Sequence, residues 1–487
     1  MPFTNSPSTD TYSTVRVPLS LEINTRPNVF TTKDEDYLNC YLDVIKDKYA
    51  DDKRKFITKR AGSFTFLASV AANQIRGMFF WADQQILFYA VNNDIYSYNL
   101  SSGVNTTINN PFGTTSGEVG FCEYLYDNNT SVIIATDGTT LIQIDSSNVV
   151  TTCVDADLPV HLPYPVFLDG YLFIVKTSSA DIYNSDLNNP MAWTAGNFIS
   201  AEIEGDFLRR IAKINNYLVA FGTNTIEYFW DAGVDTGSPL QRNDSVVKQI
   251  GYHGGFAQIG KVIYFLGNDT HGQPDVFKLE DLKIEPVGTP IISRYFNQHT
   301  ITFRNVTGNI VSVAGRQFYV INGGPYTWVL DTEHRLWARW AYKDTDKFDM
   351  TYCVNVTFGS SYKPIFALNQ SVSTLYYMAE STYGDDDVPF LVQVISEPED
   401  FGTLNRKFMY RLSVLGDRPA SDSTVNLYWS DDDYQEWSGP VEIQMNQDLP
   451  SAYRLGHFRQ RAFKITQESL ALFRIQTLEA TINKGTA

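Results

Sequence analysis

The sequence predicts an all-β protein: a β-propeller of about six or seven blades with an added C-terminal β-sandwich. Three observations carry this. The 487 residues include 31 Phe, 29 Tyr and 8 Trp, together 14% of the chain, and aromatic side chains fit the pleated, half-buried face of a sheet. Short apolar runs alternate with Asn- and Asp-containing turns throughout the middle of the chain. Successive units of this kind start roughly 40 to 45 residues apart, the period of four-stranded propeller blades.

Taken in order, residues 1–65 read as an N-terminal arm and opening strands. A polar start leads into VRVPLSLEINTRP at 15–27, an edge strand because Pro18 tolerates only that position. In 36–49, Tyr37, Tyr41, Ile45 and Tyr49 share a helical face, yet Cys40 to Ile45 also suits a strand. This is the one segment in which a helix of any length is expected.

Residues 66–385 read as the propeller. Paired apolar runs surround Asn92-Asn93 in 86–100, Asp137-Gly138 in 131–145, Asp169-Gly170 in 166–184 and Asn215-Asn216 in 211–230. Further units fall at 256–279 and 311–330, with one more at 352–378. Asn and Asp-Gly tolerate the positive φ of tight hairpin turns. An irregular stack of hairpins is the competing reading. After the acidic turn Tyr383–Asp387 the rhythm changes, and 386–487 reads as a β-sandwich module of at least five strands.

Charge narrows the function classes. The net charge of -17 and pI of about 4.8 leave no basic tract with which to grip phosphates. Cys40, Cys122, Cys153 and Cys353 lie far apart with no CxxC, so free thiols are expected rather than a disulfide framework or a zinc site. The start of the chain has no basic segment followed by an apolar one, and no apolar run approaches the roughly 20 residues needed to span a bilayer. A soluble protein made in a cytoplasm, with no membrane insertion, is expected.

Candidate chemistry is sparse. Ser430, Asp432 and Trp437 match the SxDxGxTW hairpin of sialidases, while Tyr434 and Glu436 replace its Gly and Thr. In such a hairpin the Ser and Asp side chains bind turn amides and the Trp packs beneath, a folding role. The acidic triads Asp385–Asp387 and Asp431–Asp433 lack the alternating calcium loop and read as solvated turns. His161, His253, His271, His299, His334 and His457 show no metal-binding spacing. Arg454, His457, Arg459, Arg461 and Lys464 form the most basic stretch, either a docking edge for an acidic partner or a solvated strand face. No catalytic, cofactor or metal residue is assigned.

One set of phrases is more specific. FGTNTIEYFWDAG at 221–233, GSPLQR at 237–242 and IGYHGGFAQIGKVIYFLG at 250–267 resemble one blade and the next of the packaged-DNA stabilisation, or tail nozzle, proteins of short-tailed phages. IYNSDLNNPMAW at 182–193 resembles that family's strand and Pro-x-x-Trp loop. Asn39-Cys40-Tyr41 and Lys59-Arg60-Ala61-Gly62 resemble its opening segment, where Pro is commoner than Ala61. LYWSDDDYQEWS at 427–438 and RLGHFRQRAFKI at 454–465 resemble its closing module.

The resemblance implies a non-enzymatic virion protein without cofactors. It would act as a tail nozzle or hub: a homohexameric ring below the portal and its head–tail adaptor. The ring would close the DNA channel with a tail needle or fibre, retain the packaged genome and hold tailspikes. DNA would pass through without specific binding; the Asp385–Asp387 turn is a candidate for the channel wall. A glycan-binding or glycan-cleaving, sialidase-like propeller is the alternative function, and a propeller scaffold outside any virion is a third.

Overall fold

The computed structural model describes residues 12–17, 19, 36–46, 53–234, 236–299, 302, 305–358, 361–419 and 423–485. The chain divides into two compact units. One comprises Thr65–Gly324 and Asp349–Met378, the other Met1–Phe64, Pro325–Phe348 and Ala379–Ala487. The stretches read from sequence as opening strands and closing module thus fall in a single unit, together with a third segment.

The first unit is a β-propeller. Five blades are four-stranded antiparallel sheets in simple sequence order. Their innermost strands are Ile75–Trp81, Gly120–Leu125, Val166–Leu168, Leu208–Ile214 and Gly251–Ile259. A sixth blade contains Met350–Phe358, Ser361–Leu368 and Leu375–Ala379, and the hairpin of Thr307–Val313 with Arg316–Asn322 stands between the fifth and sixth. Six blades and an intervening hairpin meet the expectation of about six or seven.

Apolar faces packed between neighbouring blades hold the ring. Trp81 and Phe88 of the first blade meet Ile133 and Ala135 of the second; Tyr124 and Ile134 of the second meet Leu172 and Ile174 of the third. Phe173 and Val175 of the third meet Leu218 and Phe229 of the fourth, and Phe221 of the fourth meets Phe265 of the fifth. Tyr264 stacks on Tyr319 of the hairpin, whose Asn309 and Thr307 reach carbonyls of the sixth blade. Val356 and Ile365 of the sixth return to Ile75 and Leu87 of the first, closing the circle. Each fully buried Val, Leu, Ile or Phe among them contributes about 1.5–3 kcal/mol of transfer free energy. Near the axis the strands approach so closely that a Cβ at Gly77 would stand 2.0 Å from the Val119 carbonyl oxygen.

The turn chemistry matches the sequence. Asn92, Asp169 and Asn215 adopt φ of 55°, 48° and 53°, and Gly138 adopts 90°, the left-handed region these residues tolerate. The helix is elsewhere than expected. Asp36–Leu38 and Cys40–Lys46 are strands, bent at Asn39 (φ 56°), and Cys40–Lys46 forms a hairpin with Lys53–Lys59; residues 47–49 lie outside the described residues. Hairpin pairing overrides the helical period. The α-helix spans Pro290–Gln298, with Thr289 before a Pro in the first turn, and buries Ile292, Tyr295 and Phe296. Thr-Pro at the start was the available signal.

The second unit contains two sheets. One orders Cys40–Lys46, Lys53–Lys59, Arg474–Lys484, Lys407–Gly416 and Ser451–Tyr453, with Tyr12–Val17 paired to Arg474–Lys484. The other includes Thr327–Asp331, Leu336–Trp340, Asp36–Leu38, Val392–Ile395, Ala462–Gln467, Thr424–Ser430 and Ser438–Gln444. The edge strand read at 15–27 appears as Tyr12–Val17; Pro18 and residues 20–27 lie outside the described residues.

Candidate functional site

Three constellations hold polar side chains in defined geometry. The first lies on the propeller axis. The inner strands line an open cavity of about 610 Å³, bordered by Glu118, Glu123, Tyr164, Arg210, Lys213 and Phe256, among others. Its charges are largely spent on its own walls. Tyr164 donates its hydroxyl to Glu118 at 2.6 Å, and Trp81 donates its indole N–H to Glu123 at 3.0 Å. The Arg210 guanidinium is sandwiched between Tyr164 and Phe256, 4.1 and 3.8 Å from their ring centres, and Lys213 sits 5.6 Å from Phe167. Burial drives the Tyr164 and Tyr352 hydroxyls well above the usual phenol range, with Glu118 adding to the rise. Such hydrogen bonds and ring contacts tie the inner strands together across the axis.

The second constellation is built by the FGTNTIEYF phrase. Buried Asp206, in the linker before the fourth blade, accepts the amides of Asn224 (2.6 Å) and Thr225 (3.0 Å) and the Thr225 hydroxyl (3.2 Å). Gly222 is needed because a Cβ there would lie 2.4 Å from an Asp206 oxygen. Glu227 is 1% exposed, accepts the Ile203 amide at 3.2 Å and pairs with Arg242 at 3.4 Å. Burial raises its carboxyl above the ordinary range, against the pull of the Ile203 amide and Arg242. The motif therefore clamps the linker at 201–207 onto the blade.

The third lies in the other unit and joins the two opening phrases. All five Arg60 N–H groups are used: Nε to Asn39 Oδ1 (2.9 Å), Nη1 to Ala61 O and Asp385 Oδ1, Nη2 to Ala341 O and Asp385 Oδ2. The guanidinium lies 3.8 Å from the Phe390 ring centre. Asp385 also accepts from the Ser63 hydroxyl and the Lys343 amide. Beside it, Lys59 donates to the Ser469 carbonyl at 2.6 Å, and burial with help from Arg60 lowers its ammonium pKa to about 7.

Comparison with known proteins decides the family. A family model described as "Bacteriophage P22 Gp10, beta-propeller" matches residues 56–382. The chain belongs to this phage stabilisation family. Among curated proteins, none matches by sequence. Solved structures with partial likeness include virginiamycin B lyase from Staphylococcus aureus (12% identity, 66% of this chain and 99% of that one, TM-score 0.45). Others are the N-terminal domain of Nup159 (10%, 69% and 98%, 0.40) and BamB from Moraxella catarrhalis (11%, 75% and 96%, 0.38). At these scores they add nothing to the assignment. The family is one of phage structural propellers, and this member has a structural role in a phage.

In this Gp10-like propeller protein the remaining sequence candidates resolve individually. Asp385 is fully buried, so the turn at 385–387 is neither a solvated acidic triad nor, at Asp385, a channel wall: its charge is needed by Arg60. In the sialidase-like hairpin, Asp432 accepts the Gln435 and Glu436 amides at 3.1 and 3.0 Å and the Ser430 hydroxyl at 2.7 Å. These bonds hold its carboxyl below the usual range. Tyr434, in place of Gly, packs beneath with Trp437, their ring centres 5.9 Å apart.

The basic stretch does not form one surface. Arg461 is 1% exposed and bound bidentately by Asp431, which keeps the exposed position of a solvated turn while pairing with it. Lys464 covers Trp437 and Tyr428, while Arg459 stays exposed and donates to the Leu404 carbonyl. A break between His457–Phe458 and Ala462–Gln467 separates residues expected on one strand face. His161 is buried between Thr136 and the Pro159 carbonyl. The four cysteines are free thiols, Cys40 buried and the others partly so. Among the described residues no group of three His, Cys, Asp or Glu could hold a metal, and no helix is long and apolar enough to cross a membrane. Sequence reasoning missed Arg60–Asp385, Glu227 and the axial cavity. Glu227 alone carried a signal: a charge between the apolar residues of TIEYF.

Proposed function

We propose that this protein is a nozzle-type tail component of a short-tailed phage. Copies pack side by side, six to a ring, below the portal and its adaptor. The ring closes the DNA channel, retains the packaged genome until the tail engages a host, and offers attachment for fibres or spikes. The observation that carries the reading is the family match across residues 56–382. Two further features support it. The two carboxylates on the propeller axis, Glu118 and Glu123, each accept a hydrogen bond from an aromatic side chain of the same ring, which suits a scaffold. The charge of -17 repels both DNA and other copies at low salt, which suits a conduit assembled on a template.

Light scattering tests this directly: the isolated chain stays mostly monomeric and forms a ring when mixed with the adaptor. No association in the mixture refutes the nozzle role. A gel-shift series with long linear DNA at falling ionic strength shows no retention. Tight, steeply salt-dependent binding would expose a concentrated basic surface and contradict a passive conduit.

A further inference from the structure

The linker clamped by Glu227 and Asp206 presents apolar side chains to solvent. Ala201 is buried, with its amide on the Ala180 carbonyl at 3.0 Å. Glu202, Ile203, Glu204 and Gly205 then stand exposed, and after buried Asp206 comes Phe207, 60% exposed. Phe207 cannot turn inward by moving its backbone. Its carbonyl accepts the Thr223 amide at 3.1 Å, and the next amide, Leu208, donates to Ser179 at 3.1 Å.

The preceding blade repeats the device. Val154 and Val160 are 92% and 61% exposed, and the Val160 carbonyl accepts the Thr177 amide at 3.0 Å. The two linkers therefore border the same turn, Thr177–Ser179, from either side. A Phe and three β-branched residues on adjacent, backbone-pinned loops are more than the scattered exposure normal for a protein surface.

The exposed charges around them lean acidic. Asp155, Asp157, Glu202 and Glu204 flank the apolar residues. Asp155 and Glu204 are partly engaged, by the Asp157 and Trp193 amides and by Gln249. Lys176 is an exposed cation nearby, 5.9 Å from the Tyr183 ring centre; Arg242 is held by Asp244 and Glu227, the half-buried Arg209 donates to the Tyr252 carbonyl, and Lys248 is half-buried. An occupant must cover an aromatic and aliphatic centre and answer an acidic rim, the arrangement in which rim charges steer and an aromatic anchors.

We propose that the face formed by residues 154–160, 177–179 and 201–207 docks a basic segment of another protein, in which Lys or Arg side chains flank an apolar residue. The proposal rests on the phage-structural reading, in that the partner is another protein of the particle. Its test uses intact particles beside the free chain. Hydroxyl-radical labelling of Phe207 and Val160 falls roughly tenfold on incorporation, and a zero-length carbodiimide couples Glu202 or Glu204 to a lysine of a different particle protein.

The double variant Glu202→Lys with Glu204→Lys, and the variant Phe207→Ser, keep the circular dichroism of the wild type and lose incorporation about tenfold. Val104→Ser, an equally exposed site on the first blade, does not. Phe207 labelled in the particle as in the free chain overturns the proposal while leaving the particle role intact. Coupling only to other copies of this chain overturns it too. Absence of the chain from the particle refutes the role and the docking partner together.

Discussion

Two buried carboxylates, one in each unit, are stabilised in unequal ways. Asp385 and Arg60 are 0% and 1% exposed and pair bidentately, with every guanidinium N–H matched to an acceptor and two further donors on the carboxylate. Glu227 is equally hidden, but its arginine is 31% exposed and 3.4 Å away, and its other bond goes to a loop amide. Burial costs a charge several kcal/mol unless its hydrogen-bonding capacity is filled. The first pair meets that condition and becomes a keystone of its unit. The second meets it in part, and the deficit is a carboxyl whose pKa rises. Satisfaction, rather than burial, separates a fixed structural charge from a compliant one.

Breaking the keystone has the largest expected effect. Asp385→Ala leaves the Arg60 guanidinium buried without its counter-charge and should cost about 3–5 kcal/mol in chemical denaturation; Asp385→Asn should cost less. A loss under about 1 kcal/mol would mean that water reaches the site and that the contrast with Glu227 is false.

Lys59 sharpens the comparison through pH. Its ammonium pKa is about 7 in the fold, below the roughly 10.4 of an exposed lysine. Between those values the unfolded chain binds more protons, so stability rises with pH. Relative to Lys59→Met, the wild type should gain a few kcal/mol between about pH 7 and 10. Equal slopes for the two proteins would place the ammonium in solvent.

Glu227→Gln should change stability by about 1 kcal/mol or less at neutral pH, because the amide keeps an acceptor for Ile203 and removes a poorly solvated charge. With a raised folded pKa, the contribution of Glu227 is fully present below the unfolded value of about 4.3 and lost as pH rises through the folded one. The Gln variant should lack that decline. A loss as large as that of Asp385→Ala would show that the two sites are alike. Asp432→Ala is the smallest effect: a modest fall in melting temperature, present above the unfolded Asp pKa and fading as pH drops through its lowered folded value. No hydrolytic activity should accompany or follow it.

The sequence revealed what local chemistry controls. The turns at Asn92, Gly138, Asp169 and Asn215 were legible because few residues adopt positive φ, and the blades followed from their spacing. The hydrogen bonds of the Ser430–Trp437 hairpin were legible because they close within four residues. Arg60 and Asp385 were not, being 325 residues apart, and their apolar surroundings could not be read from neighbours. The basic stretch misled for the same reason. Arg461 looked exposed beside Arg459, but it is taken out of solvent by Asp431, 30 residues away. At 36–46 tyrosine spacing fitted two periods, and pairing with Lys53–Lys59 chose between them. The candidate face around Phe207 was invisible because exposure of an apolar side chain is decided by how its loop is pinned.

A propeller mounted in the particle leaves a direct signature there. Electron cryomicroscopy of purified particles, with the chain quantified by mass spectrometry, measures it most directly. Six-fold density below the portal into which the blades fit, with the chain present at six copies per particle, is the expected result. Particles that infect normally while lacking both the density and the chain would contradict it.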